Sequence, residues 1–331
     1  VGVVAQPPGL GAAQTAQMLA QDGLLQVVAT NEYSEISPVY TPHFEVLVEP
    51  FRATVLTAYD SYPALDGVRY EWLVNANHIG EGASLAFTFN ILGKIPLTVR
   101  RQLNGAVLAE KTVAASCKYV RREIRTLTES DREVFFSAVS VLQNVPTEEG
   151  QRRWGYKYKD KDYFNRLHLY YGADRDCDHW HEGPGFVTSH MAITLEFEQS
   201  LQAVNPMVTV PYWDFTLEST FYNTETWRQS PAFGPQWFGT ASPDNEWHTV
   251  TEGRWAFVPT MANARNFSRI TNSYGLLRAP WNNDPTPFMT RHDHVYGFFN
   301  NLEPRGCDGY AKCLEFNTWS GVATCLNTDA H

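Results

Sequence analysis

No apolar run in these 331 residues approaches the roughly 18 consecutive positions a membrane-spanning helix needs, so no membrane span is expected. A basic stripe is missing too. The formal net charge is −10, and the one basic cluster (Lys118, Arg121, Arg122 and Arg125) is diluted by Glu123. With nothing to neutralise a row of phosphates, no nucleic-acid partner is expected. Repeats and low-complexity tracts are absent, and 43% hydrophobic against 19% charged residues excludes wholesale disorder. The chain starts at Val1 without a charged and then apolar leader, which reads as a removed targeting segment or a piece of a longer protein.

Cysteine is scarce. Of the five, Cys307, Cys313 and Cys325 sit close together near the end, among Gly and Asn, while Cys117 and Cys177 stand apart. That spacing predicts a loop stapled by disulfides and hence an oxidising, extracellular location; the odd count leaves at least one cysteine outside any pairing within the chain. Asn266-Phe267-Ser268 is a glycosylation sequon, which agrees with secretion. Aromatics are plentiful at 14%, with 10 Trp and 16 Tyr. They predict an aromatic-rich core first and a pocket for flat rings second.

The pattern changes twice along the chain, predicting a mixed fold. Residues 1–42 read as an irregular leader with a helical patch around Ala12–Leu25. Residues 43–116 carry short alternating runs at Phe44–Val48, Tyr70–Val74, Leu85–Phe89 and Leu97–Val99, separated by turn signals such as Asp66-Gly67 and Asn104-Gly105. Period-two runs at this spacing predict an antiparallel β-sandwich of immunoglobulin-like type. Residues 117–331 turn mainly helical: Thr128-Glu129-Ser130-Asp131 has the form of a capping box, and Val134, Phe135, Ala138, Val141 and Leu142 follow at helical spacing.

Histidine is where chemistry concentrates. Four of the ten, His168, His179, His181 and His190, fall within 168–190, where an even spread would put roughly one. Phe164, Leu167, His168 and Tyr171 form one helical stripe closed by Gly172, and His190, Ile193, Phe197 and Leu201 form another. Two histidines on inward faces of neighbouring helices are what a metal site in a helical bundle requires, and neutral imidazole suits Cu, Zn, Fe and Ni. The connecting segment offers His181 as a third nitrogen, with His179 as the competing choice. Each of these can also be a core histidine satisfied by a hydrogen bond.

The run His181-Glu182-Gly183-Pro184-Gly185-Phe186 through His190, then Leu195-Glu196-Phe197-Glu198 and Pro211-Tyr212-Trp213-Asp214-Phe215, resembles the first copper-binding region of tyrosinases, catechol oxidases and molluscan haemocyanins. Glu252–Ala256 and Gly275–Arg278 resemble the loops between the family's two copper regions. The resemblance covers roughly 118–331 and implies a four-helix-bundle domain in which His168, His181 and His190 hold the first copper. Asp214 and Phe186 are then supporting residues.

There are departures. Ser189-His190-Met191 stands where the family has Trp-His-Arg, and His179 occupies the position of a cysteine often bonded to histidine, with Cys177 two residues earlier. No His-x3-His pair for a second copper is present, and the His292-Asp293-His294 run does not replace it. By the resemblance, His331 falls at the first ligand of that second site, so the chain would stop as the site begins, with a C-terminal fragment or second chain completing it. The implied activity is oxidation of phenols and o-diphenols to quinones with O2. An inactive extracellular matrix glycoprotein that retained the domain is the alternative, and an oxygen carrier is a third reading.

Overall fold

The computed structural model describes residues 25–39, 43–62, 65–172, 180, 185–221, 227–261, 286–291 and 306–326. His179, His181, His292, His294, His331, Cys177, Asn266, residues 275–278 and the stretch before Leu25 lie outside the described residues. The chain divides into two compact units, Val1–Arg122 and Glu123–His331.

The first unit is built of β-strands. Strands β1 (Leu25–Thr30), β3 (Ala53–Asp60) and β6 (Ser84–Thr88) form a three-stranded antiparallel sheet in the order β1-β3-β6. A five-stranded sheet runs β2 (Val46–Val48), β8 (Ala106–Cys117), β7 (Gly93–Leu103), β4 (Arg69–Val74) and β5 (Asn77–Glu81). Both sheets feed one core, with Leu56 and Ala58 from one meeting Trp72, Leu97, Val99 and Val113 from the other. The four alternating runs seen in the sequence all overlap strands.

Two expectations are corrected. β2 pairs parallel to β8, so the unit is not wholly antiparallel. The stretch taken as an irregular leader supplies β1, whose Leu25 and Val27 are buried.

Turn chemistry sets the register. Asn104 and Gly105 both take positive φ (50° and 83°) and join β7 to β8 through a two-residue turn. Such turns match the right-handed twist of the flanking strands. Alternation along β7 buries Ile95, Leu97 and Val99, and it carries Arg101 inward as well. A buried guanidinium needs a partner. Asp60 on β3 supplies it at 2.7 Å, and Tyr70 on β4 donates its hydroxyl to the same carboxylate at 2.5 Å.

The second unit is helical in its described part. Helix α1 (Glu129–Asn144) starts on Thr128, whose Oγ1 accepts from Asp131 N at 3.2 Å, as the capping signal predicts. Its buried face (Phe135, Phe136, Ala138, Leu142) packs with Tyr158, Leu201 and Trp255. Helices α2 (Thr147–Trp154), α3 (Lys161–Gly172), α4 (Gly185–Val204) and α5 (Thr216–Phe221) follow. Two short helices, α6 (Cys307–Cys313) and α7 (Trp319–Cys325), are joined by the disulfide Cys313–Cys325, the staple expected in this stretch. Among the described residues, no helix is long and apolar enough to cross a membrane.

Candidate metal centre

The site is positioned by the way α3 is locked to α4. Asp160 opens α3: its Oδ1 accepts from Tyr163 N at 2.8 Å, satisfying a donor the helix leaves orphaned. Just before it, Lys159 is held from both sides by Ser200 of α4, which accepts from Lys159 N at 2.8 Å and donates to Lys159 O at 2.7 Å. One turn further along, Tyr163 donates its hydroxyl to Glu196 at 2.9 Å, and the rings of Phe164 and Phe197 meet edge to face at 5.5 Å. These cross-links place the predicted stripes of α3 and α4 against each other.

The consequence is that His168 of α3 and His190 of α4 face one another with ring centroids 5.6 Å apart. Phe186 packs on the His190 ring at 4.7 Å. Trp180 lies edge-on to both imidazoles, 5.5 Å from His168 and 5.7 Å from His190. Phe186 and Trp180 are both buried, while the two histidines are half-buried. The stripe on α3 departs from expectation at its end. Tyr171, in the last turn, is exposed at one edge rather than turned inward, and its ring stacks on Trp180, with centroids 5.5 Å and planes 4° apart.

One hydrogen bond sets the chemistry of His190. Its Nδ1 lies 2.7 Å from the carbonyl oxygen of Phe186. A carbonyl only accepts, so Nδ1 carries the hydrogen. In the neutral ring the lone pair then sits on Nε2. A backbone acceptor of this kind is the usual orienting partner of a metal-bound histidine. The donor set therefore suits a metal that takes neutral imidazole, copper among them. Among the described residues no set of three or more His, Cys, Asp or Glu converges as a metal site; the third expected nitrogen, on His181, lies outside them.

Asp214 occupies a different place from the ring pair. Its Oδ1 accepts from Thr216 N at 3.2 Å and Thr216 Oγ1 at 2.6 Å, opening α5. Its carbonyl accepts from Arg125, which also donates to Glu123 and to the fully buried Glu218 at 2.7 Å. Sequence reasoning did not find the place of Trp180 beside both imidazoles; its position next to His181 was the available signal.

Residues 157–320 match the family model described as the common central domain of tyrosinase. Grixazone synthase from Streptomyces griseus is 34% identical over 106 residues, covering 30% of this chain and 30% of that protein. Tyrosinase from Gallus gallus is 26% identical over 191 residues, 50% of this chain and 35% of that protein. Tyrosinase from Streptomyces antibioticus is 24% identical over 148 residues, 43% of this chain and 49% of that protein. The chain belongs to the tyrosinase family. It spans between 30% and 49% of the length of these three relatives.

Proposed function

We propose that this chain carries the first copper site of a secreted enzyme that oxidises phenols or o-diphenols to quinones with O2. The observation that carries the reading is the facing pair His168 and His190, with Nδ1 of His190 committed to the Phe186 carbonyl. His181, which the sequence puts on the segment connecting these two helices, completes the set as third ligand. Copper bound there supplies one-electron redox chemistry, and reduction of O2 by two electrons calls for a second copper near the first.

The residues of this chain have their own tasks. The Phe186 carbonyl holds the proton on Nδ1 of His190, so the lone pair of the neutral ring lies on Nε2, the atom through which this ring would bind a metal. The Phe186 and Trp180 rings keep water from the inner side of the imidazoles. Asp214 supports the site at a distance, through the helix it opens and the Glu123–Arg125–Glu218 network that fixes that helix.

Further parts of the reading rest on sequence. His331 is a first ligand of the second copper. The β-unit is an immunoglobulin-like sandwich, supported by two sheets on one core. The helical unit is a four-helix bundle, supported by the cross-links of α3 and α4 and by the packing of α1 in the same core. The disulfide and the sequon at Asn266 agree with an extracellular location.

A second reading is an extracellular scaffold that has kept the domain without activity. The separate β-core and the exposed Met191 beside His190 favour it. Oxygen uptake with an o-diphenol, measured on the copper-loaded full-length protein, separates the two. Turnover that disappears in His190→Ala supports the enzyme; copper binding without turnover supports the scaffold and overturns the enzyme.

A further inference from the structure

We propose that Trp180, Tyr171 and Tyr170 form an electron-transfer route between the histidine pair and the protein surface. The inference rests on the metal-site reading above and goes beyond it.

Tryptophan and tyrosine are the ring side chains that most readily give up one electron, and here three of them touch in sequence. Trp180 stands edge-on to His168 at 5.5 Å and to His190 at 5.7 Å. Its plane lies parallel to that of Tyr171, with ring centroids 5.5 Å apart and a 4° interplanar angle, the geometry of an offset stack. Tyr171 in turn meets the edge of Tyr170 at 4.8 Å. Exposure rises along the same line, from 9% at Trp180 to 37% at Tyr171 and 66% at Tyr170. The phenols therefore sit where a proton can leave to water, while the indole, beside the imidazoles, is shielded.

The packing of α3 does not require this arrangement. Leu169 fills the buried position of the last turn, and Tyr170 beside it is two-thirds exposed. An exposed aromatic stacked on a buried one does, however, keep the two rings in electronic contact.

The route carries electrons inward. Hydrogen peroxide, reacting at copper that the histidine pair would hold, would take two electrons through Trp180, one each from Tyr171 and Tyr170. The O–O bond breaks, the two phenolic O–H bonds break, and the two protons complete two waters. Two neutral tyrosyl radicals remain at the surface, where a dissolved reductant can reach them. Oxidising equivalents are thereby drawn away from His168 and His190, whose rings would otherwise be oxidised.

The test uses the full chain loaded with Cu(II), with copper content measured first. After a pulse of hydrogen peroxide, freeze-quench electron paramagnetic resonance reports tyrosyl radical, and peptide mass mapping reports oxygen added to His168 and His190. The unaltered protein should give the radical with little histidine oxidation. The double variant Tyr170→Phe with Tyr171→Phe, altered only at exposed positions, should lose the radical signal and gain histidine oxidation with unchanged copper content. Trp180→Phe, which keeps a ring against the imidazoles, should behave likewise. Equal radical yield and equal histidine oxidation in the double variant would overturn the route while leaving the metal site standing. Failure of the unaltered chain to take up copper would overturn the metal site, and the route with it.

Discussion

Nδ1 of His190 and the carbonyl oxygen of Phe186, one helical turn apart, form a 2.7 Å hydrogen bond, and the ring of Phe186 packs on the same imidazole at 4.7 Å. The backbone thus fixes the tautomer and the side chain fixes the ring plane. Phe186→Ala removes the second restraint and leaves the first. It should weaken copper binding about 10-fold, the lower end of what loss of an orienting neighbour costs. Thermal stability should drop by about 3 kcal/mol as the ring's cavity opens. Phe186→Leu should recover most of both. Isothermal copper titration checks it; unchanged affinity in the alanine variant would mean the ring only packs.

The β-unit has a carboxylate whose ionisation is tied to its fold. Burial by itself would raise Asp60, but the hydrogen bonds from Tyr70, Tyr62 and Arg101 outweigh it and hold the carboxyl below its ordinary value of 3.8. A group depressed in the folded state stabilises the fold above its unfolded-state value, and that contribution is lost as pH falls through the lowered value. The urea midpoint of the unaltered chain should therefore fall between about pH 5 and pH 3 more steeply than that of Asp60→Asn. Parallel curves would show that the Asp60–Arg101–Tyr70 cluster does not govern acid stability.

Gly150 lies inside α2, where replacing glycine by alanine ordinarily gains about 0.8–1.0 kcal/mol. Here a Cβ would overlap the ring of Tyr158, which is fully buried and donates its hydroxyl to the Val145 carbonyl at 2.7 Å. Overpacking of this kind costs about 1–3 kcal/mol. Gly150→Ala should lower the melting temperature followed by circular dichroism, and Tyr158→Leu in the same chain should relieve part of that loss. A raised melting temperature would show that the ring has room to move.

Two cysteines differ in reactivity for physical reasons. Burial pushes the Cys117 thiol up to about 11, with the Glu49 carboxylate adding to the effect, whereas Cys307 is exposed. The thiolate is the reacting form. Iodoacetamide at about pH 8 should label Cys307 in the native chain and reach Cys117 only after unfolding. Native labelling of Cys117 would show that its strand end opens readily.

The histidine pair was legible because a helical stripe states which face a residue shares. His168 follows Phe164 at one turn and His190 precedes Ile193 and Phe197, so both faces could be assigned before any coordinates. Asn104-Gly105 was legible for a similar reason, since few residue pairs accept two successive positive φ values. Strands β3 and β8 were not legible. The inward positions of β3 include Thr54 and Ala58, and β8 is alanine-rich while exposing Val107 and Leu108 at its turn end, so neither shows clean alternation of large apolar and polar residues. The acceptor for His190 was invisible for another reason: it is a backbone carbonyl, and every residue has one. Trp180 was missed because it lies on a connecting segment, where periodicity says nothing about direction.

The central claim is that His168, His181 and His190 share one copper ion. Copper K-edge absorption on the chain loaded with one equivalent counts imidazole nitrogens directly, and elemental analysis of His168→Ala, His181→Ala and His190→Ala shows whether each matters. Three imidazoles around the metal, with copper lost in every variant, is the predicted result. Copper that remains bound in all three variants, or none bound by the unaltered chain, would contradict it.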